Sequence, residues 1–398
     1  VRVLIDLDAT PAPAPESARP VPWRTFRVAI AAAVLLLLGA AAAPAKARVF
    51  PRVADTGGRS SLAALLTPST LYTVHAGKTE QDGVEVVARA LTPGAPSWRA
   101  PASNLSVTET FTLTRIGSVL VISGQVSMAV LDATTGKERW PTTEWSGLKV
   151  AGNRVLLGES DGSDTVRLAD VETGRILWTR KGQVTAATLD ASGRNLVMID
   201  DSGNVRVRSA ATGRVLATGS FNQSPEQEGV QAVRVIGDRV YVLVPNSVTA
   251  YTLPGLTPAW PVPALVGMPT EATACGELLC VLGGWGITAL DPATGAKRWS
   301  VPGVTDYTDG VARAPDGRIM TLDPRTGQVI AKLGRGQVTG GLMLRAGAAR
   351  TEVADLRAGR TYGVLPGVLP YACTAAGDFV ACPDNGGTAV WQVSRTGS

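Results

Sequence analysis

One short pattern returns along most of the chain and limits what it can fold into: an alternating strand, a turn ending in Thr-Gly or a relative of it, and a tail that often carries Trp. It reads MAVLDATTGKERW at 128–140, VRLADVETGRILW at 166–178, VRVRSAATGRVLA at 205–217 and ITALDPATGAKRW at 287–299. Looser copies are VVARALTPGAPSW at 86–98, VTAYTLPGLTPAW at 248–260, IMTLDPRTGQVIA at 319–331 and TEVADLRAGRTYG at 351–363. The turn glycines are Gly94, Gly136, Gly174, Gly213, Gly255, Gly295, Gly327 and Gly359, with spacings of 42, 38, 39, 42, 40, 32 and 32 residues. A recurrence near 40 residues in a strand-rich chain is the period of a propeller blade.

The chemistry of the unit explains its return. Period-two alternation buries one strand face, and Asp132, Asp291 or Asp323 can accept backbone N–H groups to start the turn. The glycine supplies the positive φ of the reversal. Trp98, Trp140, Trp178 and Trp299 stand four residues after their glycines, and Trp260 five after Gly255, positions suited to filling the space between blades. Further strands are legible between the turns, among them SVLVISG at 118–124, RVLLGES at 154–160, NLVMID at 195–200, RVYVLV at 239–244 and LLCVLGG at 278–284. The expected fold is an all-β propeller of eight four-stranded blades, with seven as the alternative, over residues 61–398. The terminal TAVWQVSRTG at 388–397 lacks a following strand. It is expected to close the ring by pairing with a strand from the region Ser61 to His75.

Residues 1–27 hold PAPAPES and RPVP, too Pro/Ala-rich to build a core, and are expected to form a disordered cytoplasmic tail. Residues 28–47 begin with an uncharged apolar run that is long enough to cross a bilayer once its flanks are counted. Arg24 and Arg27 precede the run, so the positive-inside rule places everything after it outside the cytoplasm. The alternative is a cleaved signal peptide, because Ala45-Lys46-Ala47 fits a small-residue cleavage pattern. Residues 48–60 read as a linker. The expected location is the cell membrane, single-pass, with the propeller extracytoplasmic.

Four cysteines fall into two local pairs, Cys275/Cys280 and Cys373/Cys382, each able to close across a hairpin. Disulfides are the first reading, with buried thiols or a metal site as alternatives. Zinc is disfavoured by the spacing and by the chain's single histidine, His75. Net charge is +5, but Arg and Lys are dispersed, with no basic block in the folded part, so nucleic acid is not an expected partner.

LDATTGKERW and ALDPATGAKRW resemble the repeats of the pyrroloquinoline-quinone-like, or quinoprotein-type, β-propeller family, over about residues 60–397. That resemblance implies the fold more than an activity. The family includes quinone-dependent dehydrogenases and a non-enzymatic propeller lipoprotein of the outer-membrane assembly machinery. The dehydrogenases would add a vicinal Cys-Cys pair beside the quinone and a calcium site, and this chain has no adjacent cysteines.

Other motifs carry little. His75 lacks an evident acid and nucleophile and reads as a surface or strand-end residue. GRGQVTGG at 334–341 lacks the Lys-Ser/Thr of a phosphate loop, and ESDGSD at 159–164 lacks the spacing of a calcium loop. Asn104 and Asn222 sit in glycosylation sequons. No catalytic, cofactor-binding or metal residue is assigned and no cofactor is expected. The expected function is a non-catalytic envelope scaffold whose rim loops contact an envelope protein or cell-wall partner. The alternatives are a quinone-cofactor oxidoreductase and a carbohydrate- or ligand-sensing ectodomain. The latter needs exposed aromatics outside the repeat positions, where Trp145 and Trp285 are the candidates and Trp391 is set aside on the closing strand.

Overall fold

The computed structural model describes residues 48–56, 60–77, 83–142, 145–159, 165–181, 186–190, 192–200, 203–221, 232–347, 350–356, 360–384 and 387–395. Their regular structure is all β, in nine antiparallel sheets, eight of four strands and one of three. Blades 1 to 8 span residues 61–102, 112–132, 145–181, 186–220, 232–265, 269–302, 306–335 and 337–366. Blade 9 is made of residues 374–392 and the N-terminal strand Arg52–Asp55. Within blades 1 to 8 the strands follow chain order from the inside out. First strands of several adjacent blades touch, and blade 9 packs on the first strand of blade 1, so the ring closes.

The count is therefore nine blades, not the eight or seven expected from the turn glycines. Among the described residues each of those glycines lies in the turn that follows the third strand of its blade. Blade 9 has no hairpin to a fourth strand, because its outer strand comes from the other end of the chain, and counting turns misses it. The closing strand is also not drawn from the region Ser61 to His75. Ser61–Leu66 and Thr70–Ala76 are the inner strands of blade 1, and Arg52–Asp55, inside the stretch read as a linker, pairs with Gly387–Gln392 instead. The expected transmembrane helix over 28–47 lies outside the described residues. Among the described residues no helix is long and apolar enough to cross a membrane.

Closure begins one blade earlier. Val49 forms a parallel bridge to Val364 on the outer strand of blade 8, and Phe50 N donates to Val364 O at 3.0 Å. Residues 48–55 thus form a belt across blades 8 and 9. Gly363 admits it, since a Cβ there would lie 2.4 Å from Arg48 O and 2.8 Å from the Phe50 ring.

The repeat tryptophans join neighbouring blades. Trp98, Trp140, Trp178, Trp260 and Trp299 lie against the turn glycine of the next blade, respectively Gly136, Gly174, Gly213, Gly295 and Gly327. Each indole N–H donates to a carbonyl of that same turn, on Ala133, Val171, Ala210, Pro292 and Pro324, at 2.9–3.0 Å. A Cβ on Gly174 would stand 2.4 Å from the Trp140 ring, and the glycine has φ +68°. The turn needs glycine for its backbone and for the face it offers the indole.

Blade 2 stops at three strands. The free edge of Met128–Asp132 is covered by the following segment and by side chains: Asn104 Nδ2 donates to Met128 O at 2.6 Å, and the Thr142 hydroxyl donates to the same carbonyl. Asn104, a sequon residue, thus spends its amide on capping an edge. Asn222 lies outside the described residues. Both cysteine pairs are disulfides, Cys275–Cys280 and Cys373–Cys382.

Candidate functional site

The aspartates that open the repeat turns are committed to the turns. Asp132 Oδ1 accepts from the N–H groups of Thr134 and Thr135 at 2.9 and 2.8 Å and from the Thr135 hydroxyl at 3.1 Å. Asp170 and Asp291 repeat the arrangement, and Arg154 and Arg298 pair with their second oxygens. Burial works against the Asp132 and Asp170 carboxylates, yet hydrogen bonds from their turns, with Arg139 and Arg154 beside them, hold both below the ordinary value of 3.8. At Asp291 the bond from Arg298 leads, followed by the Ala293 N–H. A carboxylate lowered by folding stabilises fully above its unfolded value and ceases to do so as pH falls through the folded one. The melting temperature should therefore hold between pH 7 and about 5 and fall below about pH 4. The triple variant Asp132→Asn/Asp170→Asn/Asp291→Asn should start lower at pH 7 and lose less on acidification, and thermal melts across that range check it.

His75 lies where blade 9 meets blade 1. It is at a strand end, as expected, but it is buried rather than on the surface, with 2% exposure. Ser60 O, 3.2 Å from Nδ1, can only accept, so in the neutral ring Nδ1 carries the proton and Nε2 accepts from the Thr73 hydroxyl at 2.8 Å. It borders a cavity of about 260 Å³ with Thr56, Glu85, Arg89 and Arg99. Across the same seam the Ser61 and Thr388 hydroxyls meet at 2.6 Å, and Thr388 N donates to Thr56 Oγ1 at 2.8 Å. Ser61, Thr56 and Thr388 thus tie the closing seam together beside His75. A second cavity, about 370 Å³, opens between blades 7 and 8 beside Asp306, Asp309 and Arg313. Among the described residues no group of three or more His, Cys, Asp or Glu is placed to hold a metal ion.

An apolar knuckle stands where blade 5 leads into blade 6. Trp285 occupies the tight turn between Leu278–Gly283 and Gly286–Leu290, in the run Gly283-Gly284-Trp285-Gly286, and is 79% exposed. Leu265, 84% exposed, ends the outer strand of blade 5, and Met268, 58% exposed, follows in the connection between the blades. This connection is held firmly. Val266 N donates to Asn246 O, Met268 N to Pro245 O, Gly284 N to Gly267 O and Gly303 N to Trp285 O, at 2.8–3.1 Å. The indole lies against Gly267, where a Cβ would come 3.2 Å from the ring. Met268 holds φ +48°, a left-handed backbone uncommon for its type and frequent at binding sites. Tyr371 and Leu369 are exposed on the corresponding connection from blade 8 to blade 9, which the Cys373–Cys382 disulfide pins at its end.

Trp285 was legible in the sequence, as a tryptophan outside the repeat positions. Trp145 begins the first strand of blade 3, and its side chain is outside the described part; Trp391 is buried in blade 9. Leu265 and Met268 carried no signal of their own. Their exposure follows from the outer strand of blade 5 being only the two residues Ala264–Leu265, after Pro261 and Pro263.

Comparison with solved structures agrees on the fold. A computationally designed propeller, Ika8, superposes with a TM-score of 0.52 at 19% identity, over 71% of this chain and 96% of that one. Sqt1 from Saccharomyces cerevisiae gives 0.52 at 11% identity, over 88% and 99%. BamB from Moraxella catarrhalis gives 0.48 at 16% identity, over 88% and 100%. No curated protein matches the chain. The family profile described as outer membrane protein assembly factor BamB matches residues 83–300, more than half of the sequence. With blades and their Trp–Gly contacts in view, that match identifies the chain as a member of the pyrroloquinoline-quinone-like β-propeller repeat family to which this profile belongs.

Proposed function

We propose that this chain is a non-catalytic binding module of the cell envelope, anchored through residues 28–47 and presenting its propeller outside the membrane to a protein partner. The observation that carries the reading is the rigid, convex apolar knuckle of Leu265, Met268 and Trp285. A protruding aromatic flanked by aliphatic side chains suits an apolar pocket on a protein. The family profile, described as an assembly factor, supports a scaffold role over catalysis. The two disulfides support an oxidising compartment.

The test uses the full-length protein in membranes, with a photoreactive residue at position 265. The expected result is one defined protein adduct, and the purified adduct partner should bind the Trp285→Ala propeller at least about tenfold more weakly. Undiminished binding by Trp285→Ala rejects the knuckle as the contact. Topology is read by adding protease to intact and lysed cells. Cleavage of the propeller only after lysis would overturn the external location.

A further inference from the structure

The seam between blades 3 and 4 departs from the repeat on both of its walls. Five residues before the turn glycine the chain places Leu131, Ala169, Leu290 and Leu322, all buried between blades. In blade 4 that position is Arg208; Arg89, at the closing seam, is the other exception. Six residues after the glycine stand Ala100, Thr142, Gly219, Val301 and Leu333, none charged, whereas blade 3 has Arg180. The strand register turns these substitutions toward each other. Arg180 is paired with Val166 and Trp178 with Leu168, on the blade 3 face that packs against blade 4. Arg206 and Arg208 are paired with Met198 and Leu196, on the blade 4 face that packs against blade 3.

Three guanidinium groups therefore line the outer part of one groove. Arg206 lies 3.7 Å from Asp200, while Arg180 and Arg208 make no ion pair among the described residues and satisfy single N–H groups on the Thr179 and Gly213 carbonyls. Arg208 Nε is buried with no acceptor. Burial, then the charges of Arg180 and Arg206, hold the Arg208 guanidinium below its ordinary value. Like charges set face to face, where most other seams have apolar or small neutral residues, weaken the seam unless an anion neutralises them.

We propose that this groove binds an extended acidic segment of a protein partner, its carboxylates held by Arg180, Arg206 and Arg208. The proposal deepens the protein-binding reading and rests on it. Guanidinium forks match carboxylates in a bidentate way. Two features favour a polypeptide over a free anion. The outer edge of Ile176–Lys181, the strand carrying Arg180, has no partner strand among the described residues and could take an added one. Val215, opposite Arg208 in register and exposed, offers an aliphatic contact beside that charge.

The probe is a fluorescent peptide of alternating Glu and Val, titrated against the full-length protein at low and high salt. Its Gln/Val counterpart, inorganic phosphate and polyphosphate form the other arms. Saturable, salt-sensitive binding of the Glu/Val peptide alone is expected. Arg180→Val/Arg208→Leu, which restores residues of the kind other seams carry, should weaken it about tenfold or more while raising the melting temperature. The exposed single variant Arg180→Gln should weaken it in the same direction and serves if the double variant does not fold. Equal binding of the Gln/Val peptide, binding of phosphate or polyphosphate without the acidic peptide, or full binding by the variants overturns the proposal. Trp285→Ala should bind the peptide normally, so failure of the groove and failure of the knuckle are told apart.

Discussion

Trp140→Ala is expected to lower stability by about 3–5 kcal/mol, because it removes a buried indole from the seam between blades 2 and 3. It also strands the Val171 carbonyl that now accepts from Nε1 at 3.0 Å. Gly174→Ala, on the opposite wall, should also destabilise, by about 1–2 kcal/mol for the left-handed backbone and a further 1–3 for the contact with the indole. The two changes should not add. Losing the indole removes the ring contacts at 2.4 and 2.5 Å but keeps the Cβ of residue 140 at 2.8 Å, so adding Gly174→Ala to Trp140→Ala should cost the backbone share and only part of the contact share. Urea unfolding of the four proteins closes this cycle. A stack of blades need not unfold in one step, so hydrogen exchange on blades 2 and 3 should accompany it. Simple additivity would mean that indole and glycine do not sense each other.

Phe50→Ala should cost about as much, 3–5 kcal/mol on the order of other buried Phe truncations, though it lies outside the repeat. The ring sits in the core shared by blades 8 and 9, with Leu365, Val380 and Trp391. Its loss loosens the belt of residues 48–55, and the last blade is then left with three strands and an open edge. Exchange should rise first in Gly387–Gln392 and Ser61–Leu66, which meet across the closing seam through Thr388 and Ser61. Gly363→Val should reproduce that pattern from the other side, because its side chain would occupy the path of the Arg48 carbonyl. Uniform loss of protection around the ring would show instead that closure is not a local event.

The two sites differ in how they could be read from residues alone. Trp285 stood out because it broke a pattern of tryptophans, but its value as a surface depended on Leu265 and Met268, which look like ordinary core residues until the short outer strand of blade 5 leaves them outside. Arg180 and Arg208 are separated by 28 positions and belong to different repeats. Nothing in either repeat says that one blade turns its charge toward the next; the strand register does. His75 sits at a strand end, one of the two places expected of it, but its burial was not legible, for a related reason. Its burial comes from blade 9 closing over it, and blade 9 is completed by residues from before the repeats.

Blade architecture was written locally. Period-two strands, Asp-started turns, turn glycines and tryptophans at a fixed offset each act within about 15 residues, and hydrophobic burial makes every such unit need neighbours on both sides. What the sequence by itself determined was therefore the all-β propeller, the position of its turns, the residues that fill its seams and the pairing of its cysteines. Only the tertiary structure decided that nine blades complete the circle, that Arg52–Asp55 closes it, and which side chains remain uncovered. Ring size depends on small rotations summed over all the seams, and the closing contacts join residues as far apart as Ser61 and Thr388. No repeat carries either quantity alone.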